Sequence, residues 1–159
     1  MDDHAARIAA HRLALRMVKG STQRPSDPVR QAVLAPVLDF LQRHAPFDQL
    51  TDAQRDWLAA RARLAFFARG ETITEPAQGN AEHFYIIKQG RVRGEIAPDS
   101  DDSAWELHVG ECFPVGALLS HRPVRMAQRA VEDTFCFEFT REDFLRLHID
   151  SPVFRDFCE

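Results

Sequence analysis

Around residue 64 the apolar residues stop recurring at helical spacing and begin to cluster in short β-type runs, so the two halves of this chain must fold differently. Before the switch lie three helical stretches. Ala6, Ala10, Leu13 and Met17 recur at helical spacing over residues 4–19, with Gly20 at the end. The polar, proline-containing GSTQRPSDP that follows reads as a linker. Val29, Val33, Val37, Phe40 and Leu41 form the second pattern. Pro36 lies inside it and predicts a kink or two short helices, and Pro46 ends it. LTDAQRDWLAARARL is the third, with Thr51 or Asp52 as N-cap and Trp57 and Leu58 toward the core.

After the switch, LAFFARGETIT, HFYIIKQGRVRGEIA, WELHVGECF, RMAQRAVED and TFCFEF are rich in aromatic and β-branched residues and separated by turns. They predict an antiparallel unit of about eight short strands, closed as a barrel or jelly roll. Gln89–Gly90 is a hairpin-turn candidate, and PDSDDS at 98–103 reads as a solvated tip. That tip lacks the glycine and closing glutamate of a calcium loop. The end turns helical again. Thr140 is placed to cap REDFLRLH, with Asp143 three residues on, and Ser151 followed by Pro152 opens PVFRDFCE. Phe154 and Phe157 mark the apolar face of that last helix, and a stop at Glu159 inside it suits a segment of a longer chain. The expected organisation is mainly β with flanking helices. A helical basic leader and linker occupies 1–28 and one domain occupies 29–159, with helices at 29–63, a β-roll at 64–139 and C-terminal helices at 140–159.

Composition narrows the function. A chain of 159 residues, 45% hydrophobic and 28% charged, suits one soluble domain with a sizeable core. No apolar run approaches the ~18 residues of a membrane span, and no secretory leader is evident, so the cytoplasm is expected. A net charge of −4 argues against a nucleic-acid partner, although residues 1–30 hold six basic residues (Arg7, Arg12, Arg16, Lys19, Arg24, Arg30) against three acids. Cys112, Cys136 and Cys158 are widely spaced, without a CxxC pair, and read as buried thiols rather than as disulfides or a zinc site. His83 and His108 stand singly and His121 falls in a turn, so no metal-binding His-x-His set forms. Glu71 and Glu75 read as surface acids, and no catalytic constellation stands out: the chain is not expected to be an enzyme.

FARGETI, FYIIKQGRV, GECFPVGALL, RAVEDTFCFEF and EDFLRL, in this order and spacing, resemble the cyclic-nucleotide-binding domain over roughly residues 47–157. The resemblance implies an eight-stranded β-roll flanked by helices, whose C-terminal helices swing when ligand binds. FPVGALL, with PVFRDFC at the end, resembles a bacterial branch in which this domain precedes paired CBS domains and a nucleotidyltransferase region of the same chain. That implies the regulatory sensor module of a signal-transduction protein, with any catalysis lying elsewhere. No helix-turn-helix follows the roll in this sequence, so a Crp-type transcription factor is the less expected member of the family.

A cyclic nucleotide presents a phosphate, a ribose hydroxyl and a flat base. Its phosphate calls for an arginine fork and backbone N–H groups, and its hydroxyl for a carboxylate. In the family these come as F-G-E-L-A-L-L, then P-R-A-A-T nine residues after the Glu. Set on that cassette, Phe113 takes the Phe and Ala117-Leu118-Leu119 the A-L-L; Pro114 replaces the Gly, Val115 the Glu, and Val124 the Arg. Neither valine can do the polar work, and Pro114 lacks an N–H. Burying a phosphate without a partner costs several kcal/mol. A one-residue shift in SHRPV would bring Arg125 to the phosphate, and Arg122 is close by. The ligand-pocket candidates are therefore Phe113, Pro114, Val115, Gly116, Ala117, Leu118, Val124, Arg125 and Met126. They admit a cyclic nucleotide or, more in keeping with two valines, a less charged small molecule. The alternative is a module that binds no ligand and docks partner domains or a second copy through Ile8, Leu15, Phe154 and Phe157.

Overall fold

The computed structural model describes residues 27–95 and 105–159. The predicted leader helix, most of the linker and the tip at 98–103 lie outside the described residues. The chain divides into a helical unit, ending at Leu64 and resuming at Glu142–Glu159, and a β unit, Ala65–Arg141.

In the helical unit, α1 runs over Asp27–Gln42 as one helix with Pro36 inside it, in place of the expected two short ones. Pro36 removes the N–H that would bond the carbonyl of Ala32. Both residues are exposed, so water can serve the orphaned carbonyl and the helix continues. Leu34, Val37 and Leu41, spaced three and four apart, are buried. A 3-10 turn at Phe47–Gln49 leads to α2, Asp52–Ala59, which Thr51 opens with a complete capping box: its hydroxyl takes the Gln54 N–H while the Gln54 side chain takes its own. Leu58 faces the core as expected, but Trp57 is half-buried, with the Arg61 guanidinium 4.1 Å over its ring. Arg55 is buried instead, where it donates to the carbonyls of Phe47, Asp48 and Leu50 and pairs with Asp52, tying α2 to the preceding turn.

Two further helices belong here. α4, Arg141–Asp150, follows the last strand directly after Thr140. α5, Pro152–Cys158, has Ser151 as N-cap, its buried hydroxyl accepting from Phe154 N–H, and Pro152 in the first turn. Arg155 donates to the last carbonyls of α4, at His148 and Ile149. Phe154 is fully buried against Phe47 and Phe144, whereas Phe157 is 48% exposed.

Among the described residues there are eight strands: β1 Arg63–Phe67, β2 Thr72–Thr74, β3 His83–Gln89, β4 Val92–Glu95, β5 Trp105–Leu107, β6 Cys112–Phe113, β7 Ala127–Ala130 and β8 Thr134–Thr140. They form two four-stranded sheets, ordered β1-β8-β3-β6 and β2-β7-β4-β5, as the expected antiparallel roll requires. Ile73, Tyr85, Ile87, Val92, Phe113, Ala130 and Cys136 make its core, with Phe67 and Leu107 packed against them. Gly90 turns the chain between β3 and β4 at φ +105°, and a Cβ there would stand 2.4 Å from the Thr134 hydroxyl. No disulfide joins the cysteines. Only Cys136 is buried as expected, while Cys112 borders a cavity and Cys158 ends the last helix, both half-buried. Among the described residues no helix is long and apolar enough to cross a membrane.

Candidate ligand pocket

The pocket is organised by a short strand locked into the roll. Phe113 on β6 pairs with Tyr85 on β3, and their rings stack at 5.2 Å. Tyr85 in turn takes the edge of Phe67 at 5.8 Å. Burial, and next the charge of Glu138, holds the Tyr85 phenol well above its ordinary range, so the phenol stays neutral. From this anchor Pro114 turns the chain into α3, Val115–Ser120, whose Ala117 and Leu118 are buried.

The C-terminal half of α3 is tied down. Arg141 Nε donates to the Leu118 carbonyl at 2.8 Å, and Arg122 N–H to that of Ala117 at 3.1 Å. His121 ends the helix in the left-handed conformation, φ 48°, which histidine tolerates better than most residues. Its Nε2 lies 2.7 Å from Glu82 Oε1, and that hydrogen bond is the main reason the Glu82 carboxyl sits below its ordinary range. Ala81 N–H donates to Arg122 O, so the turn after α3 is also bonded to the loop before β3.

Between α3, the following turn and strands β5 to β7 lies a cavity of about 320 Å³, within the size of small-molecule sites. Phe113, Pro114, Val115, Gly116, Ala117, Val124, Arg125 and Met126 all border it. Leu118 does not: fully buried, it sits on the inward side of α3. Among the described residues Trp105, Leu107, Cys112, Arg122 and Gln128 also line it; of these the sequence reading of the pocket had named only Arg122, as a neighbour of Arg125. Among the described residues no carboxylate borders the cavity. Its two cations stand differently. Arg125 is exposed and makes no ion pair with a described residue. Arg122 is half-buried, donates to Pro123 O, and lays its other terminal nitrogen 3.3 Å from where a Cβ on Gly116 would be.

Gly94 on β4 pairs with Trp105 on β5, and a Cβ at 94 would fall 2.3–2.6 Å from three indole carbons. The bare backbone of Gly94 therefore seats the ring at the cavity wall. Gln128, only 6% exposed, accepts from the Thr74 hydroxyl at 2.7 Å. A second, more polar cavity of about 280 Å³ shares Pro114 and Val124 with the first and is bordered by Thr74, Glu75, Asn80, Glu82 and His83. Among the described residues no group of His, Cys, Asp or Glu is placed to hold a metal.

The cavity thus lies in the β unit beside a short helix that follows a Phe-Pro step. Residues 64–151, more than half of the chain, match the family described as "Cyclic nucleotide-binding domain". The chain belongs to the cyclic nucleotide-binding domain family. Such domains are regulatory rather than catalytic.

Solved structures share the fold. The sensor domain of the transcriptional regulator DNR from Pseudomonas aeruginosa superposes with a TM-score of 0.62 at 19% identity, over 74% of this chain and 84% of that one. The regulatory domain of Toxoplasma gondii PKA, solved with cAMP, gives 0.68 at 18% identity over 82% of this chain and 53% of that one. The regulatory subunit of a cAMP-independent protein kinase A from Trypanosoma cruzi, bound to guanosine, gives 0.63 at 19% identity over 83% and 50%. The chain thus spans about half the length of these kinase regulatory proteins.

Neither Trp105 nor Gln128 carried a sequence signal that could have found it. Gly94 and Trp105 each stand in a strand segment, yet their pairing depends on a register that the intervening PDSDDS leaves open. Gln128 sits in an ordinary β-run, and only its partner Thr74, on β2, shows that its amide points inward.

Proposed function

We propose that this chain is the regulatory, ligand-sensing module of a bacterial signal-transduction protein, with a pocket altered from the usual cyclic-nucleotide chemistry. The observation that carries the reading is a cavity with valines at 115 and 124 and no carboxylate among its described lining residues. The valines can neither neutralise a phosphate nor accept from a ribose hydroxyl, so a bound anionic group would depend on Arg122 and Arg125. A protein of this fold solved with guanosine shows that a nucleoside without phosphate is among the ligands the fold has accepted. The bacterial setting, with CBS and nucleotidyltransferase domains following, rests on the resemblance of FPVGALL and PVFRDFC.

The test is a thermal-shift titration with cAMP, cGMP, AMP, guanosine and adenosine. A ligand that binds only the folded state raises the melting temperature by mass action, so a saturable rise is expected with at least one of them. A rise with cAMP that Arg125→Ala abolishes would place the phosphate on that arginine and count against an altered pocket. The absence of any rise, with isothermal calorimetry also flat, would remove the sensing reading.

A second reading is favoured by Ile149, 65% exposed on α4, and Phe157, 48% exposed on α5. Under it, these residues dock a partner domain or a second copy. Light scattering of the protein and of Phe157→Asp decides: a dimer that the substitution dissociates supports docking, and a monomer in both excludes self-association.

A further inference from the structure

We infer that the second, polar cavity, at the loop between β2 and β3, binds the primary ammonium or guanidinium group of a small organic cation. It shares Pro114 and Val124 with the first cavity and otherwise has its own walls, so the inference stands or falls apart from the sensing reading. What carries it is the way the polar groups of the lining are left to bond. Thr74, only 7% exposed, gives its hydroxyl hydrogen to Gln128 Oε1 at 2.7 Å, so its oxygen has lone pairs alone to offer. Gln78 donates from Nε2 to the Ile73 carbonyl at 3.4 Å, which leaves its Oε1 as an acceptor. Glu75 makes no hydrogen bond or ion pair with a described residue, and a carboxylate accepts without donating. Glu82 meets His121 Nε2 through Oε1 and keeps Oε2 as an acceptor. That hydrogen bond, ahead of the charges of His121, Arg141 and His83, holds the Glu82 carboxyl below its ordinary range, so it is ionised near neutral pH. Asn80 and His83 can present either a donor or an acceptor, and no lysine or arginine is among the described lining residues.

A wall of acceptors with two carboxylates calls for a ligand that donates several hydrogen bonds and carries positive charge. A primary ammonium brings three N–H donors and a guanidinium five, neither with an acceptor of its own. Charge-assisted bonds to the carboxylates are the stronger ones in such a set. An anion would be repelled by Glu75 and Glu82, and a neutral alcohol could answer one acceptor and leave the rest to water. Tyr85, whose phenol stays neutral, joins Pro114 and Val124 as the less polar part of the wall, where a short hydrocarbon stem can lie. A quaternary ammonium has the same charge but no N–H. It therefore separates hydrogen-bonded recognition from the weak attraction that any exposed carboxylate exerts on a cation.

The experiment titrates the intact chain with agmatine, propylammonium, tetramethylammonium and 1-propanol, at about 0.15 M salt so that long-range attraction is screened. Binding is read by calorimetry and by the amide NMR signals of residues 78–83. Saturable binding of agmatine and propylammonium is expected, with shifts at those amides, and none with tetramethylammonium or 1-propanol. Glu75→Gln is expected to weaken agmatine roughly threefold to tenfold, as loss of one partly exposed charge-assisted bond does. Glu82→Gln should weaken it by a similar factor. Because that change also breaks the pair with His121, the variant His121→Asn serves beside it: it keeps the Glu82 carboxylate and should keep agmatine binding. Tetramethylammonium binding as tightly as propylammonium, affinities unchanged in both glutamate variants, or no binding of agmatine and propylammonium to the unsubstituted chain would each overturn the cation site. None of these results bears on the nucleoside titration, whose failure would remove the sensing reading and leave the cation site standing.

Discussion

A methyl group at position 94 has no room, because the carbon it would add falls within 2.6 Å of three atoms of the Trp105 ring. Gly94→Ala is therefore expected to cost about 1–3 kcal/mol in urea denaturation, through displacement of a rigid ring rather than a compliant chain end. Gly90→Ala should cost at least as much. Its Cβ would meet the backbone carbonyl of Asp133 at 2.8 Å as well as the Thr134 hydroxyl, and φ +105° is strained for any side chain. Arg125→Ala marks the other extreme. The residue is exposed and makes no described ion pair, so stability should move by less than about 0.5 kcal/mol. The same substitution should abolish any gain in affinity that a phosphate confers on a nucleoside, read by comparing AMP with adenosine. Equal responses of the two ligands before substitution would show that Arg125 has no such role.

The helix ends show how much a few local residues decide. Ser151 with Pro152, and Thr51 with Gln54, announce their helices in sequence because each cap is made within three residues. Ser151→Ala should cost about 1 kcal/mol, and more than Thr51→Ala within a range of about 0.5–2 kcal/mol, since Ser151 is buried and water cannot replace its hydroxyl. Chemical denaturation of both variants checks the order. Other features were not legible. Pro36 reads as a break, and the helix passes through it because the carbonyl it orphans faces solvent. The burial of Arg55 has no signal in the sequence, since it depends on the carbonyls of Phe47, Asp48 and Leu50 that the 3-10 turn and its cap gather. In the pocket, the Phe-Pro step and α3 could be found from their local cassette. Trp105 and Gln128 could not, since each is defined by a partner on another strand.

Across the molecule, buried acids make stability depend on alkaline pH. Burial, and next the charge of Glu138, pushes the Cys136 thiol from an ordinary 9.0 up to about 12. A folded value raised in this way contributes stability that is complete below pH 9.0 and is lost as pH rises toward about 12, because the unfolded chain then sheds a proton that the folded chain keeps. Tyr85 shifts in the same direction and adds to the loss above its ordinary 10.0. Denaturation midpoints should fall steadily above pH 9.0, and Cys136→Ala, though less stable at neutral pH, should show a shallower fall. Equal slopes in both proteins would show that this thiol does not govern the alkaline limb. The acid side has the opposite sign. Glu82, held below its ordinary 4.5 by His121, contributes stability above that value and loses it as pH falls. The Glu82→Gln variant should therefore be less stable than the parent at neutral pH and approach it in acid.

The succession of helices, eight short strands and helices was readable from residue spacing alone, because periodicity and capping are properties of neighbours in the chain. The same holds for valine at 115 and 124, since their inability to carry charge belongs to the side chain itself. The positions of Arg122 over Gly116, of Trp105 on Gly94, and of Gln128 under the hold of Thr74 had to await the folded sheets. Each joins residues that are separated in sequence, and strand register, which a shift of one residue would reverse, sets which of them share a face.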